Sequence, residues 1–229
     1  MAVRTYRDPC GIARALDLIG ERWSLLVVRE LLLGPKRFTD LLGGLPSASP
    51  NVLSQRLKEL EEAGVVERRK LAPPASAWVY QLTERGRELE PALLALGRWG
   101  SPLPSPAGTE FGVDAIVVAM KTVFDPQAAG RLRGRFQLNL GAEQFRIEIA
   151  RGRLDIVRGP ADGADAVIDT DIPTLRSLVF RRVSLAQAEK NGLIAIHGDG
   201  ESAARLFESF TPVHEGRAGS AQKTISPTA

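Results

Sequence analysis

The 229-residue sequence predicts an α+β chain of two domains, a mostly helical one followed by a mixed one. Three observations carry that reading. Apolar residues recur at helical spacing through most of residues 8–100, whereas from Phe136 they alternate with polar ones, as in strands with one buried face. Between the two patterns lies GSPLPSPAGTE, residues 100–110, where Pro102, Pro104 and Pro106 suppress helix and favour an extended connector. The basic excess is one-sided: residues 1–100 hold 15 Lys and Arg against 12 Asp and Glu, and residues 101–229 hold 15 of each. We expect domains at 1–100 and 110–212 and a linker at 101–109. A disordered tail is expected at 213–229, where EGRAGSAQKTISPTA lacks apolar periodicity.

Composition bounds the class. With 44% hydrophobic and 25% charged residues the chain reads as a globular, water-soluble protein. Its one cysteine, Cys10, excludes an internal disulfide and suits a reducing compartment. The N-terminus lacks an apolar signal core and no apolar run approaches the roughly 18 residues of a membrane span, so a cytoplasmic protein is expected. The formal net charge of +3 is too small to establish nucleic-acid binding, but it points to the first half as the place for it.

The helical half is read in order. Asp8 followed by Pro9 is a helix start, Ile12, Leu16 and Ile19 share one face, and Gly20 ends the run. WSLLVVRELLLG is apolar nearly all round, as a helix buried inside a small bundle must be, and Gly34 and Pro35 stop it. FTDLLGGL is a third, short helix. In SPNVLSQRLKELEEAGVVERRK, residues 49–70, Ser49 caps, Pro50 takes the first helical position and Gly64 ends the helix. Leu53, Leu57 and Leu60 face the core, which puts Asn51, Gln55 and Lys58 on the opposite side with Ser54 on its flank. VVERRKL and AWVYQLT then read as a hairpin joined across APPAS, and Thr83 begins a last helix, ERGRELEPALLALGRWG.

A polar helix face alone would indicate an ordinary solvated helix. Followed at once by a hairpin carrying Arg68, Arg69 and Lys70, it reads as a winged helix-turn-helix. Asn51, Ser54 and Gln55 then suit base edges, because amides and hydroxyls carry no obligatory counter-charge. Lys58, Arg68, Arg69 and Lys70 suit phosphates.

Residues 8–100 also resemble the HxlR family of bacterial transcription regulators. The resemblance rests on CGIA (10–13), LDLIG (16–20), RWSLL (22–26), REL (29–31), RFTDL (37–41), LSQRLKELE (53–61) and WG (99–100). It implies a DNA-binding winged helix that dimerises through its terminal helices; a lysine is common where this chain has Arg22, which keeps the charge. The family often has a cysteine near the N-terminus, sometimes a sensor of oxidants or electrophiles, and Cys10 matches that position. Asp8 works against thiolate formation there, so a small packing residue is the preferred reading and a redox-active thiol the alternative.

In the second half GVDAIVVAMKTVF reads as a helix, and Phe136–Leu138–Leu140 and Phe145–Ile147–Ile149 as strands. Leu154, Ile156 and AVIDT continue the sheet. IPTLRSLVFRRV and SLAQAEKNG are helices, LIAIHGDG is a strand into a turn, and ESAARLFESF is a closing helix. FRI (145–147), GRL (152–154), ADAVI (164–168), Leu175 to Leu178 and Ile194 to Asp199 resemble the sterol carrier protein fold, diffusely, over residues 114–210. That resemblance implies an α+β layer with an apolar cavity, for which Phe136, Phe145, Leu178, Phe180, Leu206 and Phe207 are the candidate lining. They would equally fill a dry core.

Catalytic constellations are absent. The two histidines, His197 and His214, lie in no metal-ligand spacing with Cys10 or each other, and Asp162, Asp165, Asp169 and Asp171 are accounted for by a strand and its turns. No enzyme, metal or cofactor is expected. The function expected is that of a homodimeric DNA-binding transcription regulator whose second domain accepts an apolar effector such as a fatty acyl compound. The alternative is a lipid-binding carrier that the first domain merely dimerises.

Overall fold

The computed structural model describes residues 5–72, 76–104 and 108–212, so Pro106, His214 and the expected tail lie outside the described residues. The first half comprises α1 (Gly11–Ile19), α2 (Ser24–Leu31), α3 (Phe38–Gly44) and α4 (Pro50–Glu62). The hairpin β1 (Val66–Lys70) and β2 (Trp78–Leu82) follows, then α5 (Glu84–Arg87) and α6 (Glu90–Gly100). Two boundaries differ from the sequence reading. The first helix begins at Gly11, with Cys10 at its N-cap, because the Asp8 carboxylate accepts from the Cys10 N–H at 2.8 Å and closes a turn outside the helix. The last helix is two: Pro91 has no N–H for a continuous ladder, so α5 ends at Arg87 and α6 starts afresh with Pro91 in its first turn. Val27, Val28, Leu31, Leu41, Leu53, Leu57 and Leu60 join Val66 and Leu82 in the core of this half.

The second half opens with α7 (Val113–Val123) and a short α8 (Pro126–Ala129) that the sequence reading missed. β3 (Gly134–Leu140), β4 (Glu143–Ala150), β5 (Arg153–Arg158) and β6 (Ala166–Thr170) follow, then α9 (Ile172–Val179), α10 (Leu185–Lys190), β7 (Ile194–Gly198) and α11 (Gly200–Glu208). Among the described residues the sheet runs β5-β4-β3-β6-β7, with β3 and β6 parallel and the other pairs antiparallel. Phe136, Leu138, Phe145, Ile147 and Ile168 point to one face, covered by α7, α9 and α11 through Ile116, Met120, Leu175 and Leu206, with Phe210 just beyond α11. The other face is polar, carrying Arg135 paired with Glu148 and Asn139 bonded to Asp169.

The two halves are packed together rather than strung on a linker. Leu33, in the turn after α2, is buried in the core of the second half, and its carbonyl accepts from the Arg158 N–H at 3.0 Å. α6 lies against α7, so closely at Gly97 that a Cβ there would stand 3.3 Å from Thr122. Arg98 donates to the Thr122 carbonyl at 3.1 Å, and Lys121 pairs with Glu90. At the centre of the junction the buried Lys36 ammonium donates to Glu30 at 2.7 Å and to Asp114. Arg158 grips Asp114 at 2.6 Å from the sheet side and also pairs with Glu143, and Arg29 holds Glu30 at 2.7 Å. Gly44 makes room for this: a Cβ on it would lie 2.2 Å from the Glu30 carboxylate.

Glu30, Lys36 and Asp114 are 2%, 7% and 5% exposed, so removing the lysine leaves two carboxylates out of water with one cation fewer. Lys36→Met is expected to destabilise the chain by about 3–5 kcal/mol in a urea titration, the range for breaking a buried ion pair from one side. A loss below about 1 kcal/mol would mean that the group is solvated.

Candidate nucleic-acid interface

α4 owes its orientation to three leucines. Leu53, Leu57 and Leu60 are at most 1% exposed and lock one face into the core, so the opposite face must look outward. The Ser49 hydroxyl accepts from the Val52 N–H at 3.3 Å, and Gly64, in the left-handed region at φ +68°, turns the chain out of the helix. Asn51, Ser54, Gln55 and Lys58 are all exposed, as the spacing predicts.

The structure adds a polarity along this face. Asn51 and Ser54, in the N-terminal half of the helix, have no side-chain partner among the described residues, whereas Gln55 donates to Glu59 at 2.7 Å and Lys58 lies 3.8 Å from Glu62. The far end is therefore acidic and the near end uncharged, which favours entry of the N-terminal end towards a polyanion. Val52, 40% exposed, flanks the amides and was not among the sequence candidates; its signal is that it falls outside the leucine stripe.

The wing also departs from the linear reading. β1 and β2 pair with Arg68 opposite Tyr80 and Lys70 opposite Trp78, and the backbone of Lys36 exchanges hydrogen bonds with Tyr80 at 2.9 and 2.8 Å. Strand alternation puts Arg68 and Lys70 on one face and Arg69 on the other. Arg68 lies over the Trp78 ring at 4.7 Å and Tyr80 at 5.9 Å; Arg69 donates to Gln81 at 2.5 Å, whose amide in turn meets Glu67. Three consecutive cations are thus two separate presentations, all exposed. Trp78, 52% exposed beside them, is a second residue the sequence reading passed over.

A helix held by its apolar stripe, its polar face outward, followed by a basic two-stranded wing, is the architecture of a winged helix-turn-helix. The sequence model of the HxlR-like helix-turn-helix family matches residues 18–106. An HTH-type transcriptional regulator of Bacillus subtilis, YodB, is 36% identical over 95 residues, 42% of this chain and 85% of that protein. An uncharacterized HTH-type transcriptional regulator of Synechocystis is 40% identical over 92 residues, 40% of this chain and 68% of that one. The chain belongs to the HxlR-like helix-turn-helix family. Among solved structures, the reduced form of YodB covers 44% of this chain and 99% of its own at 34% identity, with a TM-score of 0.38.

The HxlR-like match stops at residue 106 and leaves the second half to its own geometry. There Phe136, Phe145, Leu178, Leu206 and Phe207 are packed into the core, at most 6% exposed, because the helices close directly on the sheet. A cavity of about 500 Å³ lies elsewhere, between α2 and α6 of the HxlR-like domain and α7 and α9 of the second; of the six candidates only Phe180 lines it. Among the described residues no cluster of three His, Cys, Asp or Glu has metal-binding geometry. His197 stands 3.9 Å from Asp169 on the open sheet face, Asp165 accepts from the Arg135 N–H at 2.7 Å, and Asp171 caps α9. Cys10 is exposed and so takes no part in the core of this chain, contrary to a packing role within it. No helix among the described residues is long and apolar enough to cross a membrane.

If the polar face of α4 were there only to solvate the helix, trimming it would still leave stability untouched, so the contrast with the leucine stripe must be measured together with function. Leu57→Ala is expected to cost about 2–5 kcal/mol in thermal or urea unfolding. Ser54→Ala is expected to stay within about 0.5 kcal/mol of the parent. A large loss at Ser54 would assign that face a structural role.

Proposed function

We propose that the chain is a homodimeric DNA-binding transcription regulator that lays the N-terminal half of α4 in a major groove. The observation that carries this is the exposed amide and hydroxyl face of Asn51, Ser54 and Gln55 on a helix whose other face is fully buried. These side chains read base edges, with Val52 available to a thymine methyl, while Lys58, Arg68, Arg69 and Lys70 hold phosphates. Gln55 must give up Glu59 to do so.

Dimerisation is supported by apolar surface that stands exposed among the described residues. α1 and α6 contain no buried residue, and Ile12, Leu16, Leu96 and Trp99 are 73%, 41%, 48% and 74% exposed. Two copies joined by these helices about a two-fold axis would set two recognition helices about one DNA turn apart. The second half, residues 110–212, serves in this reading as a sterol-carrier-like effector domain, supported by a five-stranded sheet covered by helices on one face. An apolar effector bound there changes operator affinity, which requires unequal affinity for two arrangements of the dimer. Similar solved structures include the redox regulator HypR in its oxidized form and quinone-bound YodB, and the exposed Cys10 supports a sensing thiol as the alternative role in this reading.

Gln55→Ala is expected to relax preference at one base position by about 1–3 kcal/mol in binding to an operator fragment. Arg69→Ala is expected to weaken all sequences alike and to reduce the salt slope by about one. Parent-like binding by both variants would overturn the assignment of these faces. In light scattering at micromolar concentration the parent is expected to run as a dimer and Trp99→Asp as a monomer; a monomeric parent would overturn the assembly.

A further inference from the structure

The cavity at the domain junction has a composition that says what it takes. Its walls are apolar, from Leu25 and Leu93 on the HxlR-like side to Val118 and Phe180 on the other, and its volume of about 500 Å³ is that of a small-molecule site. Its charged lining is entirely cationic: Arg29, Arg176 and Arg182, with no carboxylate among the described lining residues. Arg29 is already engaged by Glu30. Arg176 and Arg182 are not. Among the described residues neither guanidinium has an acceptor, and Arg176 lies over the Phe111 ring at 5.3 Å from its centroid, itself 6.2 Å from the Phe180 ring. Glu110 lies beside Arg176 in the adjoining hollows, exposed and outside the cavity.

Two unpaired guanidinium groups at the edge of an apolar groove suit an organic anion, because arginine binds a carboxylate through two parallel hydrogen bonds while the groove shields part of an aliphatic or aryl body from water. We propose that the junction cavity binds a small amphipathic carboxylate, its apolar body between α2, α6, α7 and α9 and its carboxylate at Arg176 and Arg182. This rests on the effector reading above and narrows it in two respects. The ligand is an organic anion rather than any apolar molecule, and its site is shared by both domains rather than enclosed in the second. Such a ligand touches α2, whose other face packs under α4, and α6, whose Leu96 lines the cavity and whose Trp99 is exposed beyond it.

The test is isothermal titration of the full chain with octanoate and with 1-octanol, which share the apolar body and differ in the charge. Octanoate is expected to bind once per chain, about ten- to a hundredfold more tightly than octanol, the range for a charge-assisted hydrogen-bonded pair. The double variant R176Q/R182Q, exposed or half-exposed positions whose loss leaves the core intact, is expected to bind the two equally. Ala119→Phe is expected to fill the chamber and lose both; should it lower the melting temperature, Leu26→Glu at the mouth is expected to weaken octanoate selectively. Equal binding of octanoate and octanol by the parent, or a preference surviving in R176Q/R182Q, overturns the carboxylate site while leaving an apolar effector in place. Binding of neither overturns both.

Discussion

One lysine fixes how the halves of this molecule meet. Lys36 enters the junction from the segment after α2, with its ammonium between Glu30 and Asp114 and its backbone paired with Tyr80 of the wing. Carboxylates this deeply buried persist only when cations and hydrogen bonds replace the lost water. Arg29, Arg158 and Glu143 complete it, three cations against three carboxylates, so the group is neutral only when both domains contribute. A rigid body of two cores follows, because pulling the halves apart would strand charge on each side. The residue that anchors the second domain is also the one that extends the wing sheet.

That arrangement changes what the second domain can be to the first. A proline-rich connector by itself would give a tethered neighbour with its own orientation. Instead α2 is common property: Val27, Val28 and Leu31 pack in the HxlR-like core, while Leu25, Leu26 and Arg29 line the junction cavity. α6 is similarly shared, lying against α7 through Gly97 and Arg98, lining the cavity with Leu96 and presenting Trp99 outward. Elements that touch a cavity, a core and an uncovered apolar surface at once are where a bound molecule can bias one packing against another.

The outward face of α4 behaves in the opposite way, since it depends on few long-range contacts. α4 is capped by its own Ser49, stopped by its own Gly64 and oriented by a stripe of its own leucines, so its outward residues follow from spacing. The wing is less local. Its strands pair across a loop, and alternation about that pairing sends Arg69 to Gln81 and Arg68 over Trp78, a division that a run of basic letters does not display.

Sequence by itself determined the elements and their faces, because helix caps, Gly and Pro stops and the periods of 3.6 and 2 are properties of neighbouring residues. It placed Asn51, Ser54, Gln55 and Lys58 outward, the strands from Phe136 to Gly198 in order, and the resemblance that identifies the first domain. Tertiary structure alone decided what those faces meet. Phe136, Phe145, Leu206 and Phe207 read as well for a cavity as for a core, and only the closing of α7, α9 and α11 on the sheet made them core. Leu33 and Lys36 look like the end of a helix and a surface cation until the second domain covers them. Arg176 and Arg182 carry no distinguishing signal in sequence, since an unpaired charge is defined by the acceptors that folding fails to bring near it.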